Sequence, residues 1–229
     1  MNLRIFDDSI ALTRAAARTL LERNPSSVAI SGGSTPRPLF DLLGNEWRER
    51  ITARPITWVV VDERWVSKSD PQSNAAMIER TLFVQGLPEG HRFLEFRTDL
   101  PDPAASAAQF ERDWRSLGLD TLDVVFLGCG DDGHTASLFP GTPVLDVEDR
   151  IASEVFVPRL DQWRVTLTMP VIRAAKLRIV LATGESKAPI VRDVRNGVQH
   201  PITRATEGIE TWWFVDRAAA GEPSSPRME

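Results

Sequence analysis

The chain has 229 residues, 42% hydrophobic and 26% charged, so it can bury a sizeable core without disulfides or metals. Its net charge of −5 argues against non-specific nucleic-acid binding, which needs a surplus of Lys and Arg, but leaves room for a small anionic ligand. The single cysteine, Cys129, excludes an internal disulfide. Because there is no signal-peptide pattern and no apolar run of about 20 residues, we expect a cytoplasmic protein without a membrane span.

Short apolar runs alternate with amphipathic stretches along the chain, which is typical of an α/β fold. In chain order the pattern predicts a helix at 9–24, a strand at 28–31, a helix at 37–47, a strand at 56–63, a helix at 73–83, a strand at 92–96, a helix at 104–118 and a strand at 123–128. It continues with strands at 155–157 and 164–170, a helix at 171–176, a strand at 177–184, a helix at 185–196 and a strand at 210–216. The β-branched run ITWVVVDE indicates a mostly parallel sheet with helices on both faces. Without a linker-like stretch, we expect one domain over 1–220 and a mobile tail over 221–229.

The first motif, SGGSTPRPLF (31–40), joins a predicted strand to a helix. Gly32 and Gly33 let the backbone approach a ligand closely, and the free N–H groups of the following helix start attract anions. Ser34 and Thr35 could donate to phosphate oxygens or simply cap the helix. The motif therefore predicts either a phosphate-binding turn or a capped strand-to-helix turn. It matches neither of the glycine-rich signatures for dinucleotides and nucleoside triphosphates.

The second motif, VDERWVSKSDPQSN (61–74), follows the β-branched strand. Asp62 could serve as a polar contact to a sugar. Arg64 could contact an anion or a carbonyl oxygen, because the guanidinium group stays charged and presents several N–H donors in one plane. The alternative is that these charges only end the strand at the surface. We expect Ser73 and Asn74 to begin the next helix.

The third motif, LGCGDDGHTASLFPG (127–141), places Asp132 two residues before His134 in a glycine-rich loop after a strand. Histidine is the side chain best suited to proton transfer near neutral pH, and a nearby carboxylate fixes its tautomer. We therefore predict acid–base chemistry at His134, against the alternative of a structural histidine. A metal site is not predicted, because no second His or Cys stands at ligand spacing.

Two basic residues further along the chain, Arg164 and Lys187, lie in the stretches RVTLTMP and ATGESKAPI. Either could contact a phosphate or remain a solvated charge. Because ligands of open parallel sheets collect at the carboxyl ends of the strands, we expect all these motifs to share one site.

Taken together, these motifs resemble the 6-phosphogluconolactonase family over about residues 27–194. The matching segments, in order, are SGGSTPRPLF, VDERWVSKSDPQSN, LGCGDDGHTASLFPG, RVTLTMPVIRAAK and ATGESKAPIV. The resemblance implies a modified Rossmann-like α/β fold that is shared with glucosamine-6-phosphate deaminase.

The resemblance also implies hydrolysis of 6-phosphogluconolactone in the oxidative pentose phosphate pathway, without a cofactor. It assigns His134 as the general acid/base and Arg64 as an active-site binding residue. As a mechanistic hypothesis, we expect Asp132 to orient or polarise the imidazole and Arg64 to stabilise the oxyanion or hold the anionic end of the substrate. Substrate or phosphate contacts are expected from a larger set: Gly32, Gly33, Ser34, Thr35, Asp62, Arg164 and Lys187. The expected partner is a phosphosugar lactone, not a nucleic acid or a membrane, and the protein is expected to be a monomer or a small homo-oligomer.

Two alternatives remain open. The deaminase family that this chain also resembles carries a Glu five residues after the His, where this chain has Phe139, and a Tyr where it has Arg64. Deamination needs the carboxylate of that Glu, so the Phe139 at its position disfavours this activity. The other alternative is a non-catalytic sugar-phosphate sensor, which the presence of both Asp132 and His134 disfavours.

Overall fold

A seven-stranded parallel sheet forms the centre of the computed structural model, which describes residues 1–208 and 210–222. Side by side, its strands are β1 (Asn2–Phe6), β10 (Thr211–Asp216), β9 (Leu177–Ala182), β6 (Val124–Gly128), β2 (Ser27–Ile30), β3 (Thr57–Val60) and β5 (Arg92–Leu94). Each neighbouring pair is parallel. Every residue of β2 and β9 is buried, as expected for strands covered on both faces. The prediction of a mostly parallel α/β sheet is confirmed.

A smaller antiparallel sheet contains β4 (Asp62–Arg64), β8 (Gln162–Leu167) and β7 (Ala152–Val157), in that order. The prediction of one continuous strand over 56–63 is therefore wrong. Val61 separates β3 from β4: its N–H donates to Ile30 in the central sheet, and its carbonyl accepts from Leu167 in the smaller one. The chain changes sheets at this residue because its two backbone groups pair with different partners.

Nine helices connect the strands within the described residues. They are α1 (Ser9–Arg23), α2 (Arg37–Gly44), α3 (Arg48–Ile51), α4 (Asn74–Thr81), α5 (Pro103–Ser116), α6 (Met169–Ala174), α7 (Ala188–Arg195), α8 (Pro201–Thr206) and α9 (Arg217–Ala220). The predicted helix starts near Asp8 and Ser73 are confirmed, because these side chains accept from Ala11 N and Ala76 N respectively. The predicted helix at 185–196 opens as a 3-10 turn, Glu185–Lys187, before α7.

Among the α-helices and β-strands of the described residues, four have no counterpart in the sequence prediction: β1, α3, α8 and α9. The three helices are four to six residues long and have too few turns for a clear apolar periodicity. Strand β1 lies at the edge of the sheet and none of its residues is fully buried, so apolar and polar residues show little alternation along it. None of the helices within 1–208 and 210–222 is long and apolar enough to cross a bilayer.

One hydrophobic cluster includes residues of both sheets, such as Trp58 and Trp213 from the larger and Val165 from the smaller. The division into a domain over 1–220 and a mobile tail over 221–229 stays a prediction. Most of that tail, 223–229, lies outside the described residues.

Candidate active site

A cleft of about 340 Å³ opens at the carboxyl ends of β2 and β6, beside the turn that follows β9. This volume lies near the lower end of the range of about 300–1,000 Å³ that is usual for small-molecule sites. The predicted residues that line it are Gly32, Gly33, Ser34, Thr35, Asp62, Arg64, His134, Arg164 and Lys187. Asp132 is the one predicted site residue that lies outside the lining, behind His134. The sequence motifs therefore converge on one cleft.

The turn after β2 presents backbone donors to this cleft. Ser31 anchors it by donating its hydroxyl to Phe126 O at 3.0 Å, and Gly33 adopts a φ of +109°, which strongly favours glycine. The N–H groups of Gly33, Ser34 and Thr35 donate to no described residue. Helix α2 has Pro36 as its N-cap and no side-chain cap, so the alternative of a Ser34 or Thr35 cap is wrong.

The loop after β6 holds the imidazole of His134 in one orientation. Asp132 Oδ1 lies 2.5 Å from Nδ1 and 3.2 Å from the His134 backbone N. A carboxylate at Nδ1 selects the neutral tautomer with its proton there, so the lone pair is on Nε2. Nε2 has no hydrogen bond to any described residue. A methyl group at Gly130 would lie 2.0 Å from Nδ1, so only glycine leaves room for the ring.

Burial is the largest influence on the pKa of His134 and lowers it below its ordinary value of 6.5. The hydrogen bond and charge of Asp132 oppose this shift without cancelling it. For Asp132 itself, burial raises the pKa, but His134 and Arg159 together hold it below the ordinary value. At neutral pH the pair is therefore a carboxylate and a neutral imidazole, the state that a general base requires.

The wall formed by the smaller sheet concentrates positive charge. Pairing of β4 with β8 sets Arg64 opposite Arg164, and the Nε atoms of both are buried without a hydrogen-bond partner in the part of the chain that the structure describes. Burial lowers the pKa of Arg164 below its ordinary value, and the charge of Asp62 opposes this shift. Arg64 donates through Nη1 to Gln72 O at 2.6 Å, while Asp62 accepts from the Ser137 hydroxyl at 2.6 Å. These arginines offer remaining donors to an anionic ligand.

Lys187 completes the positive wall from the 3-10 turn after β9. Its Nζ pairs with Asp131 Oδ1 at 2.6 Å, and its side chain is 19% exposed. Asp131, by contrast, is 70% exposed. Because the aspartate is so exposed, an anionic ligand could compete with it for the ammonium group.

Three residues at this site were missed by the sequence prediction. Asn74, expected only as a helix start, lines the cleft, donates to Asp62 O at 2.7 Å and approaches Gly32 so closely that no Cβ would fit there. Glu63 is buried and accepts hydrogen bonds that hold α4 against β4. Ala136 lines the cleft with a φ of +51°, rare for a non-glycine residue. No local sequence signal marks these roles: those of Asn74 and Glu63 depend on contacts with another segment, and alanine does not favour the positive φ that Ala136 adopts.

Phe139 stacks on His134, with ring centroids 4.1 Å apart and planes inclined by 24°. At this position the chain therefore offers an aromatic face to the imidazole and no carboxylate. The side chain of His200 lies against Gly133 in the same loop, so closely that a Cβ added at Gly133 would come within 2.6 Å of it. Together with the hydrogen bond from Ile202 N to Gly133 O, it supports the loop from α8.

Two other reactive possibilities receive no support from the geometry. Burial raises the pKa of Cys129 to about 12, so this thiol stays protonated, as expected for a packing residue. Within 1–208 and 210–222, no group of three His, Cys, Asp or Glu side chains is arranged to hold a metal ion.

Comparison with known proteins identifies the family. The family described as glucosamine-6-phosphate isomerases/6-phosphogluconolactonase matches residues 9–213. A 6-phosphogluconolactonase of Synechocystis is 32% identical to this chain. The alignment covers 95% of this chain and 92% of the length of the Synechocystis protein. The crystal structure of the 6-phosphogluconolactonase from Leishmania guyanensis aligns with a TM-score of 0.80 at 26% identity, covering 96% of this chain and 97% of that one. A monomeric glucosamine-6-phosphate deaminase shares the fold, with a TM-score of 0.79 at 22% identity over 97% of this chain and 100% of that one. The chain belongs to the family of glucosamine-6-phosphate isomerases and 6-phosphogluconolactonases.

Proposed function

We propose that this protein hydrolyses 6-phospho-D-glucono-1,5-lactone to 6-phospho-D-gluconate in the oxidative pentose phosphate pathway. The observation that carries the proposal is a cleft lined both by the neutral imidazole of His134 and by the turn at Gly33–Thr35, whose N–H groups donate to no described residue. The 6-phosphogluconolactonases among its relatives support this substrate. The lactone of a sugar phosphate has a phosphate at one end, which the turn would bind, and an ester carbonyl at the other, which would face the imidazole.

In this mechanism the phosphate binds the Gly33–Thr35 turn, with Lys187 as a charged partner. His134 Nε2 accepts a proton from water as the water oxygen attacks the lactone carbonyl, while Arg64 or Arg164 stabilises the developing oxyanion. The imidazolium, stabilised by Asp132, then donates the proton to the ring oxygen as the carbon–oxygen bond of the ester breaks. The product is an open-chain acid, and the imidazole returns to its neutral form.

Replacement of His134 tests the proposal directly. We expect His134→Ala to lower kcat by about 10²–10⁴-fold, the usual contribution of general acid–base catalysis. The measurement is hydrolysis of freshly prepared δ-lactone, followed by proton release, with circular dichroism to check folding. A folded variant with near-normal turnover would remove His134 from the mechanism.

The alternatives make different predictions. Deamination of glucosamine 6-phosphate is disfavoured because Phe139 provides no carboxylate beside His134. Release of ammonia from that substrate, without lactone hydrolysis, would favour it. Binding of 6-phosphogluconate without any turnover of the lactone would favour a sensor.

The cellular setting is also a proposal. We infer a cytoplasmic enzyme that needs no cofactor and binds no nucleic acid; the negative net charge supports the last of these points. A monomer or a small homo-oligomer is proposed, and light scattering of the purified protein would measure its mass.

A further inference from the structure

Arg159 lies outside the lining of the cleft but contacts the groups behind His134. It belongs to the 3-10 turn Pro158–Leu160 between β7 and β8, remote in sequence from the histidine loop. Its Nη2 lies 2.7 Å from Asp132 Oδ2. Its guanidinium carbon lies 5.0 Å from the ring centroid of Phe139, the residue that stacks on His134.

The two oxygens of Asp132 therefore have different partners. Oδ1 accepts from His134 Nδ1, and Oδ2 pairs with Arg159. Within its own loop Asp132 is contacted at Oδ1 alone, by the ring and the backbone N–H of His134, among the described residues. A carboxylate held at both oxygens cannot turn about its Cβ–Cγ bond without breaking one of the two contacts.

We propose that Arg159 is a positioning residue that fixes the Asp132 carboxylate, so that His134 keeps its proton on Nδ1 and its lone pair on Nε2 toward the cleft. This inference rests on the lactonase activity proposed above. Arg159 acts through Asp132 and not on the substrate, because Arg64, Arg164 and Lys187 line the cleft and Arg159 does not.

The Arg159 side chain is 54% exposed. Exposed ion pairs contribute little to stability, so its replacement should leave the fold intact. Asp132 from its own loop, Asp62 from β4 and Arg159 from the β7–β8 turn all influence the pKa of His134, and Arg64, Arg164 and Lys187 line the same cleft. Arg159 differs from the cleft residues because it contacts the Asp132 carboxylate that holds the imidazole.

Kinetics of three variants test the role. We expect Arg159→Gln to lower kcat about tenfold, a typical cost of losing an outer partner, with KM changed by less than about twofold. Arg159→Lys keeps the charge and should restore most of the turnover. In an Asp132→Asn background, Arg159→Gln should cost less than about twofold more, because its partner carboxylate is already gone.

A matched control is available on the surface. Arg14 forks to both oxygens of Glu46 at 3.0 Å, and its side chain is 43% exposed. Arg14→Gln should leave kcat and KM unchanged. An equal cost of Arg159→Gln in the presence and absence of Asp132, or a raised KM with normal kcat, would overturn the proposal.

The imidazole tautomer gives a readout that does not depend on turnover. In ¹⁵N spectra recorded above the pKa of His134, the parent protein should show the proton on Nδ1, and Arg159→Gln should shift population to Nε2–H. An unchanged tautomer would refute the positioning role. If the parent protein fails to hydrolyse the lactone, the proposed function fails, while this comparison still decides the role of Arg159.

Discussion

His134 is held by a carboxylate at one edge and an aromatic ring at one face, in a loop where a glycine is needed to make room. The sequence placed Asp132 and His134 together because they are two residues apart. It gave no sign that Phe139 would stack on the ring, although their spacing of five residues is just as local. The turn around Ala136 brings Phe139 back onto His134. Ala136 adopts a positive φ there, a conformation that is rare for alanine and is not predicted from the sequence.

The pH dependence of turnover follows from the His134 environment. Because the pKa of this imidazole lies below 6.5, kcat/KM should be maximal at neutral pH and fall as the pH drops through that lower value. The carboxylate of Asp132 raises this pKa, so Asp132→Asn should move the acid limb to still lower pH while reducing kcat. A pH profile of both proteins measures the shift, and a limb that moves to higher pH would contradict the assignment.

The close contact at Gly130 predicts a second effect on turnover. Gly130→Ala adds a methyl group 2.0 Å from His134 Nδ1 and 2.8 Å from Asp132 Oδ1, so the ring and carboxylate must separate. We expect kcat to fall by about 10²-fold, since a misplacement of about 1 Å costs that much. Gly128 lines the same cleft, but a methyl group there meets no protein atom within 4 Å, so Gly128→Ala should leave the His134–Asp132 contact intact and lower kcat far less. Equal losses in the two variants would contradict the contact argument.

The start of α4 shows how an element positions a site. The Glu63 carboxylate accepts from the N–H groups of Arg64, Asn74 and Ala75 and from the Ser73 hydroxyl, at 2.7–3.0 Å. Burial raises the pKa of Glu63, and these four hydrogen bonds oppose that rise. The carboxylate thus joins β4 to the N-terminus of α4 and sets the spacing between two cleft residues, Arg64 and Asn74.

Replacing that carboxylate should weaken both stability and binding. Glu63→Gln turns one acceptor oxygen into an amino group that faces N–H donors, so we expect a loss of about 2 kcal/mol or more in the free energy of unfolding. KM for the lactone should rise as Arg64 and Asn74 shift. Urea unfolding measures the first effect. Glu79→Gln, on the exposed face of the same helix, is the control and should change neither quantity.

At the scale of the whole molecule, Asp123 ties three strands together at the end of the sheet opposite the cleft. It accepts from Ser26, just before β2, and from Ser27, the first residue of β2; it pairs with Lys176 before β9 and itself precedes β6. Burial raises its pKa, but the Lys176 ion pair and the serine hydrogen bonds outweigh burial and lower it to about 2.

This shift predicts acid sensitivity. The folded-state pKa lies below the ordinary value of 3.8, so the stabilisation is complete above 3.8 and is lost as the pH falls through about 2. After allowance for solvent screening, Asp123→Asn should lower the free energy of unfolding by about 1–2 kcal/mol at pH 7 and by much less near pH 2. Urea unfolding at both pH values measures this. Asp99→Asn, whose side chain is exposed, should show almost no difference.

The sequence by itself determined the α/β class, most helices and strands, and the loops that face the cleft. These depend on periodicity, helix starts and glycine-rich strand ends, all of which are properties of neighbouring residues. Only the tertiary structure decided that the chain leaves the central sheet at Val61, that Arg64 faces Arg164 and that Arg159 reaches Asp132. The physical reason is that each of these contacts joins segments far apart in the chain, so packing of the whole molecule selects them and no local preference does.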